Sequence, residues 1–114
     1  MFTLYGIKNC STVKKARDWL EQHGIAYQFH DVRADGLSLE QLQDFTARVE
    51  WNSLLNRSST SWRQLTPEQQ SDLTEDKAIQ LIHNTPTLLK RPVLESGEQL
   101  IVGFKVENYQ EQLL

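Results

Sequence analysis

The sequence predicts an α/β chain: a four-stranded mixed sheet with a helical block inserted between its halves. Three features carry this reading. An apolar segment, a helix pattern and a second apolar segment open the chain. Capped helical stretches fill the middle, and two β-prone runs around Ser96-Gly97-Glu98 precede a final amphipathic helix.

Phe2-Thr3-Leu4-Tyr5 is apolar, β-prone and ends at Gly6, which reads as a short buried strand central in the sheet. From Ser11 the period changes. Val13, Ala16 and Leu20 recur at helical spacing, Trp19 widens that face, and Lys14, Lys15, Arg17 and Asp18 point elsewhere. Gly24 ends the helix in the usual left-handed position. Ile25 to Val32 resumes a strand, and a strand, helix, strand succession of this length implies a right-handed crossover between parallel strands. The loop from Gly6 to Thr12 then lies at the carboxyl edge of the first strand, where open α/β sheets bind ligands.

In the middle, Ser38-Leu39-Glu40-Gln41 has the form of a capping box, with Leu39, Leu42, Phe45 and Val49 on one helix face. Thr66-Pro67 and Thr74 look like later helix starts. The stretch from Trp51 to Leu65, with Asn56-Arg57-Ser58-Ser59, is less regular and offers loops to a ligand. After Asn84, Val93-Leu94 and Leu100-Ile101-Val102 flank Ser96-Gly97-Glu98 as a hairpin, and Lys105 to Leu113 closes as a helix. The sum is a single domain with a sheet core at about residues 1–35 and 85–114 and a helical insertion at about 36–84. That is a thioredoxin-like order with an inserted helical subdomain.

A chain of 114 residues with 39% hydrophobic content can supply one core. Its net charge of -3 gives no field to attract phosphate polymers or anionic membranes, so neither direct nucleic-acid binding nor membrane binding is expected. No apolar run approaches the roughly 20 residues of a membrane span, and the first residues lack the pattern of a signal peptide. A cytoplasmic location is therefore expected. The single cysteine agrees with a reducing compartment and cannot form an internal disulfide, so redox chemistry needs a second thiol from another molecule.

That cysteine, Cys10, sits where strand turns to helix. The free amides of Ser11, Thr12 and Val13 and the positive end of the helix dipole stabilise an anion there, a thiolate is such an anion, and Lys8 adds a nearby positive charge. The alternative is a small buried hydrophobe. Lys8, Asn9, Ser11 and Thr12 are poor company for a core position, which favours the nucleophile. Arg91-Pro92 introduces the first hairpin strand, at a place where thioredoxin-like sheets commonly hold a cis proline opposite the active cysteine. Arg91 is a planar, permanent cation suited to an anion near Cys10, or else a solvated residue before a trans proline that starts an edge strand. Arg57 and Arg63, in the irregular part of the insertion, are further candidates for that anion site or ordinary surface arginines. His23, His30 and His83 offer neither metal-ligand spacing nor a Ser-His-Asp arrangement, so no metal is expected.

Taken in order, Tyr5-Gly6-Ile7-Lys8-Asn9-Cys10, Ser11-Thr12-Val13-Lys14-Lys15-Ala16, Leu54-Leu55-Asn56-Arg57, Trp62-Arg63, Lys90-Arg91-Pro92-Val93 and Val102-Gly103-Phe104 resemble the arsenate reductase (ArsC) family over nearly the whole chain. The likeness is to its ArsC-like branch known as YffB, related to the Spx regulators. The resemblance implies a catalytic cysteine, Cys10, whose adduct is released by glutathione and glutaredoxin, with Arg91 as the arginine before the family's cis proline. It implies glutathione as a co-substrate rather than a bound cofactor. Where arsenate reductases place an arginine after the Leu-Leu pair this chain has Asn56, with Arg57 one step on, and where they carry a further arginine past the hairpin it has Gly103. The resemblance thus favours a glutathione-dependent thiol reductase over arsenate reduction. Spx regulators often carry a second cysteine three residues after the first; here that position is Val13, which leaves binding to RNA polymerase as the regulator-like alternative.

Overall fold

The computed structural model describes all 114 residues, Met1 to Leu114. In chain order the elements are β1 (Phe2–Gly6), α1 (Ser11–Gln22), β2 (Tyr27–Asp31), α2 (Val32–Asp35), α3 (Leu39–Arg48), a 3-10 turn (Trp51–Leu54), α4 (Thr60–Arg63), α5 (Pro67–Gln70), α6 (Glu75–Asn84), a second 3-10 turn (Pro86–Leu88), β3 (Val93–Ser96), β4 (Gln99–Val102) and α7 (Val106–Leu113). They form two compact units, one of Met1–Asp31 with Arg91–Leu114 and one of Val32–Lys90. No helix is long and apolar enough to cross a membrane.

The first unit is built on a four-stranded sheet of order β2-β1-β3-β4. β1 runs parallel to β2, with Leu4 opposite Phe29 and Gly6 opposite Asp31, and antiparallel to β3, with Tyr5 opposite Val93. β3 and β4 form the hairpin, closing at Ser96 opposite Gln99 around Gly97, whose φ is +81°. This is the thioredoxin-like α/β arrangement. Its core joins Leu4, Val13, Ala16, Leu20, Leu94, Ile101 and Tyr109, so the helical stripe of α1 meets the strands as the spacing predicts.

The end of α1 shows why β2 is shorter than its sequence pattern. Gly24 has φ +65°, its amide donates to the carbonyl of Glu21, and the Ile25 amide donates to Leu20 at 2.9 Å. This pair of bonds is a Schellman closure, and it commits Ile25 to the helix end rather than to a strand. At the other end Val32, expected as the last strand residue, begins α2 and is fully buried.

In the second unit, Ser38 and Thr66 each form the full reciprocal capping box, with Gln41 and Gln69, and Thr74 caps α6 through the Lys77 amide at 3.2 Å. Leu42 and Phe45 of α3 are buried, but Leu39, read as part of the same face, is exposed. It occupies the first helical position, before the stripe has turned inward. The irregular stretch is tied down by a Leu55–Leu89 bridge and by the Lys90 amide, which donates to Leu54 at 2.7 Å.

Candidate active site

The chain leaves β1 at buried Ile7, passes exposed Lys8 and Asn9, and enters α1 at Cys10. Cys10 is the N-cap residue, with extended backbone at φ -120° and ψ 121°, and its carbonyl accepts the first helical bond, from Lys14 at 3.0 Å. No side chain caps this helix end. Helical geometry leaves the amides of Ser11, Thr12 and Val13 without an acceptor inside the helix, so three donors face the region of the thiol. Cys10 itself is half-buried, touching the core cluster on one side and open on the other.

Packing fixes this helix end. A Cβ placed on Gly6 would fall 2.8 Å and 2.9 Å from the two Val13 methyl carbons, so only glycine lets the first turn of α1 sit this close to the end of β1. Nothing local in the sequence announces that approach.

Arg91 and Pro92 reach the same edge of the sheet from the other direction. Because β1 and β3 are antiparallel, with Tyr5 opposite Val93, the residues before β3 lie where β1 gives way to the Cys10 loop. The Arg91–Pro92 peptide is cis, Pro92 is buried, and Arg91 is half-buried with its Nε shielded from solvent. The Pro92 carbonyl accepts from the Gly103 amide at 2.8 Å, and Gly103 holds φ +80°. The first unit therefore gathers Lys8, Asn9, Cys10, Ser11, Thr12, Val13, Arg91 and Pro92 along one sheet edge.

Arg57 and Arg63 belong to the second unit. The Arg63 guanidinium donates to the Ser58 carbonyl at 2.9 Å and to the Thr60 hydroxyl at 3.3 Å, bracing its own loop. Arg57 lies over the Trp62 ring at 5.4 Å, and both arginines are exposed. Asn56 turns its side-chain oxygen to the Ser58 amide at 3.0 Å.

The histidines have structural partners. His23 stacks on Trp19, with ring centres 4.0 Å apart, and its Nδ1 bonds the Trp19 carbonyl at 2.9 Å. His83 Nδ1 bonds the Leu37 carbonyl at 2.7 Å, and the His30 ring lies 4.9 Å from that of Tyr5. Arg17, whose spacing points it away from the apolar face of α1, has tertiary partners on β2. Its guanidinium lies 4.3 Å over the Phe29 ring, and its Nε donates at 3.1 Å to the Tyr27 hydroxyl, which donates at 3.0 Å to Glu21. Burial, more than its charged neighbours, pushes the Tyr27 hydroxyl above its ordinary pKa. The helical Arg17–Glu21 spacing was visible in the sequence, but the two aromatic partners on β2 are tertiary neighbours.

A thioredoxin-like sheet with a lone cysteine at the head of its first helix defines the class of this protein. Its sequence matches the ArsC family model over residues 5–112, and the chain belongs to that family. The solved structure of a protein named YFFB superposes with a TM-score of 0.96 at 46% identity, covering all of both chains. An uncharacterised protein of Haemophilus influenzae is 41% identical over 110 residues, 96% of each chain. The global transcriptional regulator Spx of Listeria innocua is 30% identical over 106 residues, 91% of this chain and 80% of Spx.

Proposed function

We propose that this chain is a thiol oxidoreductase that uses glutathione as co-substrate and Cys10 as its only nucleophile. The observation that carries the reading is the placement of half-exposed Cys10 at the uncapped head of α1, on the sheet edge from which Arg91 also emerges. The Cys10 thiolate attacks one sulfur of a disulfide, a new Cys10 sulfur–sulfur bond forms, and the other sulfur leaves as a thiolate that takes a proton from water. The amides of Ser11, Thr12 and Val13, with the Lys8 ammonium, stabilise negative charge on Cys10 before attack. Arg91 offers a planar fork to a glutathione carboxylate, which Lys cannot reproduce. Asn9, Thr12 and Pro92 stand at the same sheet edge as Cys10. The chain holds no second cysteine, so the mixed disulfide is opened by glutathione or by a glutaredoxin.

Incubation with glutathione disulfide, followed by peptide mapping in a mass spectrometer, tests this directly. A single glutathionyl group on Cys10, removed by added glutathione and absent from a folded Cys10→Ser protein, is the expected result. A Cys10 that stays unmodified overturns the reading.

The likeness to Spx favours a second reading, a regulator that binds RNA polymerase. Recovery of polymerase on the immobilised protein, equally with Cys10→Ser, would favour it over the enzyme.

A further inference from the structure

Two grooves lie along α1 on the side of β2, and they share Arg17 and Glu21 as a common wall. The nearer is lined by Lys8, Val13, Lys14 and Asp18 and so begins within three residues of Cys10 on either side. The farther is lined by Ile25, Ala26, Tyr27 and Phe29. The shared wall is held on both sides, by Arg17 over Phe29 and by the Arg17–Tyr27–Glu21 hydrogen bonds, so the surface is formed by side chains already fixed on a helix and a strand.

Length decides what could fill it. The twelve residues of α1 rise about 18 Å, whereas an extended tripeptide spans only about 10 Å. Glutathione bound at Cys10 and Arg91 leaves this surface uncovered. An extended chain of about five or six residues would cover it. Its chemistry changes along the way. The near groove sets the cations of Lys8, Lys14 and Arg17 beside the carboxylates of Asp18 and Glu21. Arg17 and Glu21 are engaged with Tyr27 and Lys14 with Asp18 at 2.9 Å, which leaves the exposed Lys8 ammonium, nearest to Cys10, for a partner's carboxylate. In the far groove Ile25, Tyr27 and Phe29 are half-buried and pack on the core. β2 is also an edge strand, the usual place for an extended chain to lie against a sheet.

We infer that the disulfide reduced at Cys10 joins glutathione to a polypeptide cysteine, and that the polypeptide lies along α1 with an acidic residue beside its cysteine and an apolar residue farther along. The inference rests on the thiol oxidoreductase reading. Cys10 thiolate attacks the glutathionyl sulfur, and the polypeptide thiolate leaves and takes up a proton. A second glutathione thiolate then attacks the Cys10 mixed disulfide, which frees Cys10 and yields glutathione disulfide. One substrate sulfur is reduced and the two glutathione sulfurs end as one disulfide.

The test compares the glutathione mixed disulfides of free cysteine and of a peptide of about ten residues with Glu beside its cysteine and Leu four residues on. The expected kcat/KM for the peptide is at least about tenfold higher, the gain from burying one apolar side chain in the far groove. Filling that groove with Ala26→Arg, at an exposed position, should bring the ratio of the two values towards one. Turnover of both substrates with equal kcat/KM overturns the inference and leaves the oxidoreductase reading standing. Turnover of neither overturns both.

Discussion

Gly6 and Val13 approach so closely that a methyl group on residue 6 would stand 2.8 Å from a Val13 methyl carbon. The contact joins the end of β1 to the first turn of α1 and so sets where the Cys10 amide cluster sits. Gly6→Ala must push that turn outward, and overpacking of this kind costs about 1–3 kcal/mol. Chemical denaturation should show the midpoint falling with an unchanged slope. Val13→Ala made in addition relieves the clash, so the double variant should be less destabilised than the sum of the single ones. Additive losses would mean that the two residues are not coupled.

Tyr109 is fully buried between the rings of Trp19 and Phe104, and its hydroxyl has no hydrogen-bond partner. An unsatisfied buried hydroxyl stabilises nothing, so Tyr109→Phe should leave stability unchanged or raise it by up to about 1 kcal/mol at neutral pH. Burial also pushes the Tyr109 hydroxyl well above its ordinary pKa of 10.0. Above that value the unfolded chain loses this proton while the folded chain keeps it, so the contribution is whole below about pH 10 and drains away as pH rises. Stability of the natural protein should therefore fall more steeply above pH 10 than that of Tyr109→Phe, by about 1.4 kcal/mol per pH unit. Parallel curves would show that the phenolate is not disfavoured in the folded chain and that the hydroxyl reaches water.

Arg91→Lys keeps the charge at the sheet edge and removes the planar fork. If Arg91 holds a glutathione carboxylate, two parallel bonds become one, and KM for glutathione disulfide should rise about tenfold while adduct formation on Cys10 at saturation changes little. A fall in the maximal rate as large as the rise in KM would instead point to a disturbed Cys10 loop, and urea melts of the variant separate these outcomes.

Much of this architecture was legible because its signals are local. Gly24, the Ser38 capping box, the helix starts at Thr66 and Thr74 and the Gly97 turn each depend on residues within a few positions of one another, and each is found where the pattern puts it. Cys10 at a helix head follows from the same strand-to-helix reading. The relationships that were not legible are those between elements: Gly6 against Val13, Arg17 over Phe29, Val32 drawn out of β2 into a buried helical position. Arg91 stands between the two kinds. Its spacing from Cys10 carries no information, and only the antiparallel pairing of β1 with β3 brings it to the same edge.

Gly103 bears on substrate choice more than any other departure from the arsenate reductase pattern. It stands where those enzymes are expected to place an arginine, it holds φ +80°, and its amide supports Pro92. Arsenate needs charge-assisted donors for its oxygens, each bond contributing on the order of 1.5–3 kcal/mol, so one missing arginine should weaken binding at least about tenfold. Asn56 in place of a second arginine weakens the case for arsenate further. The purified protein with glutathione and a glutaredoxin should therefore reduce arsenate weakly or not at all, while it forms and turns over a Cys10–glutathione disulfide. Restoring the arginine by Gly103→Arg should not rescue arsenate reduction. A side chain in the left-handed region costs about 1–2 kcal/mol and would strain the residue whose amide holds Pro92. Thermal melts of Gly103→Arg should accordingly show a lower midpoint; efficient arsenate reduction by the natural protein would mean that other cations supply the missing donors, and activity gained only in Gly103→Arg would mean that the restored arginine does.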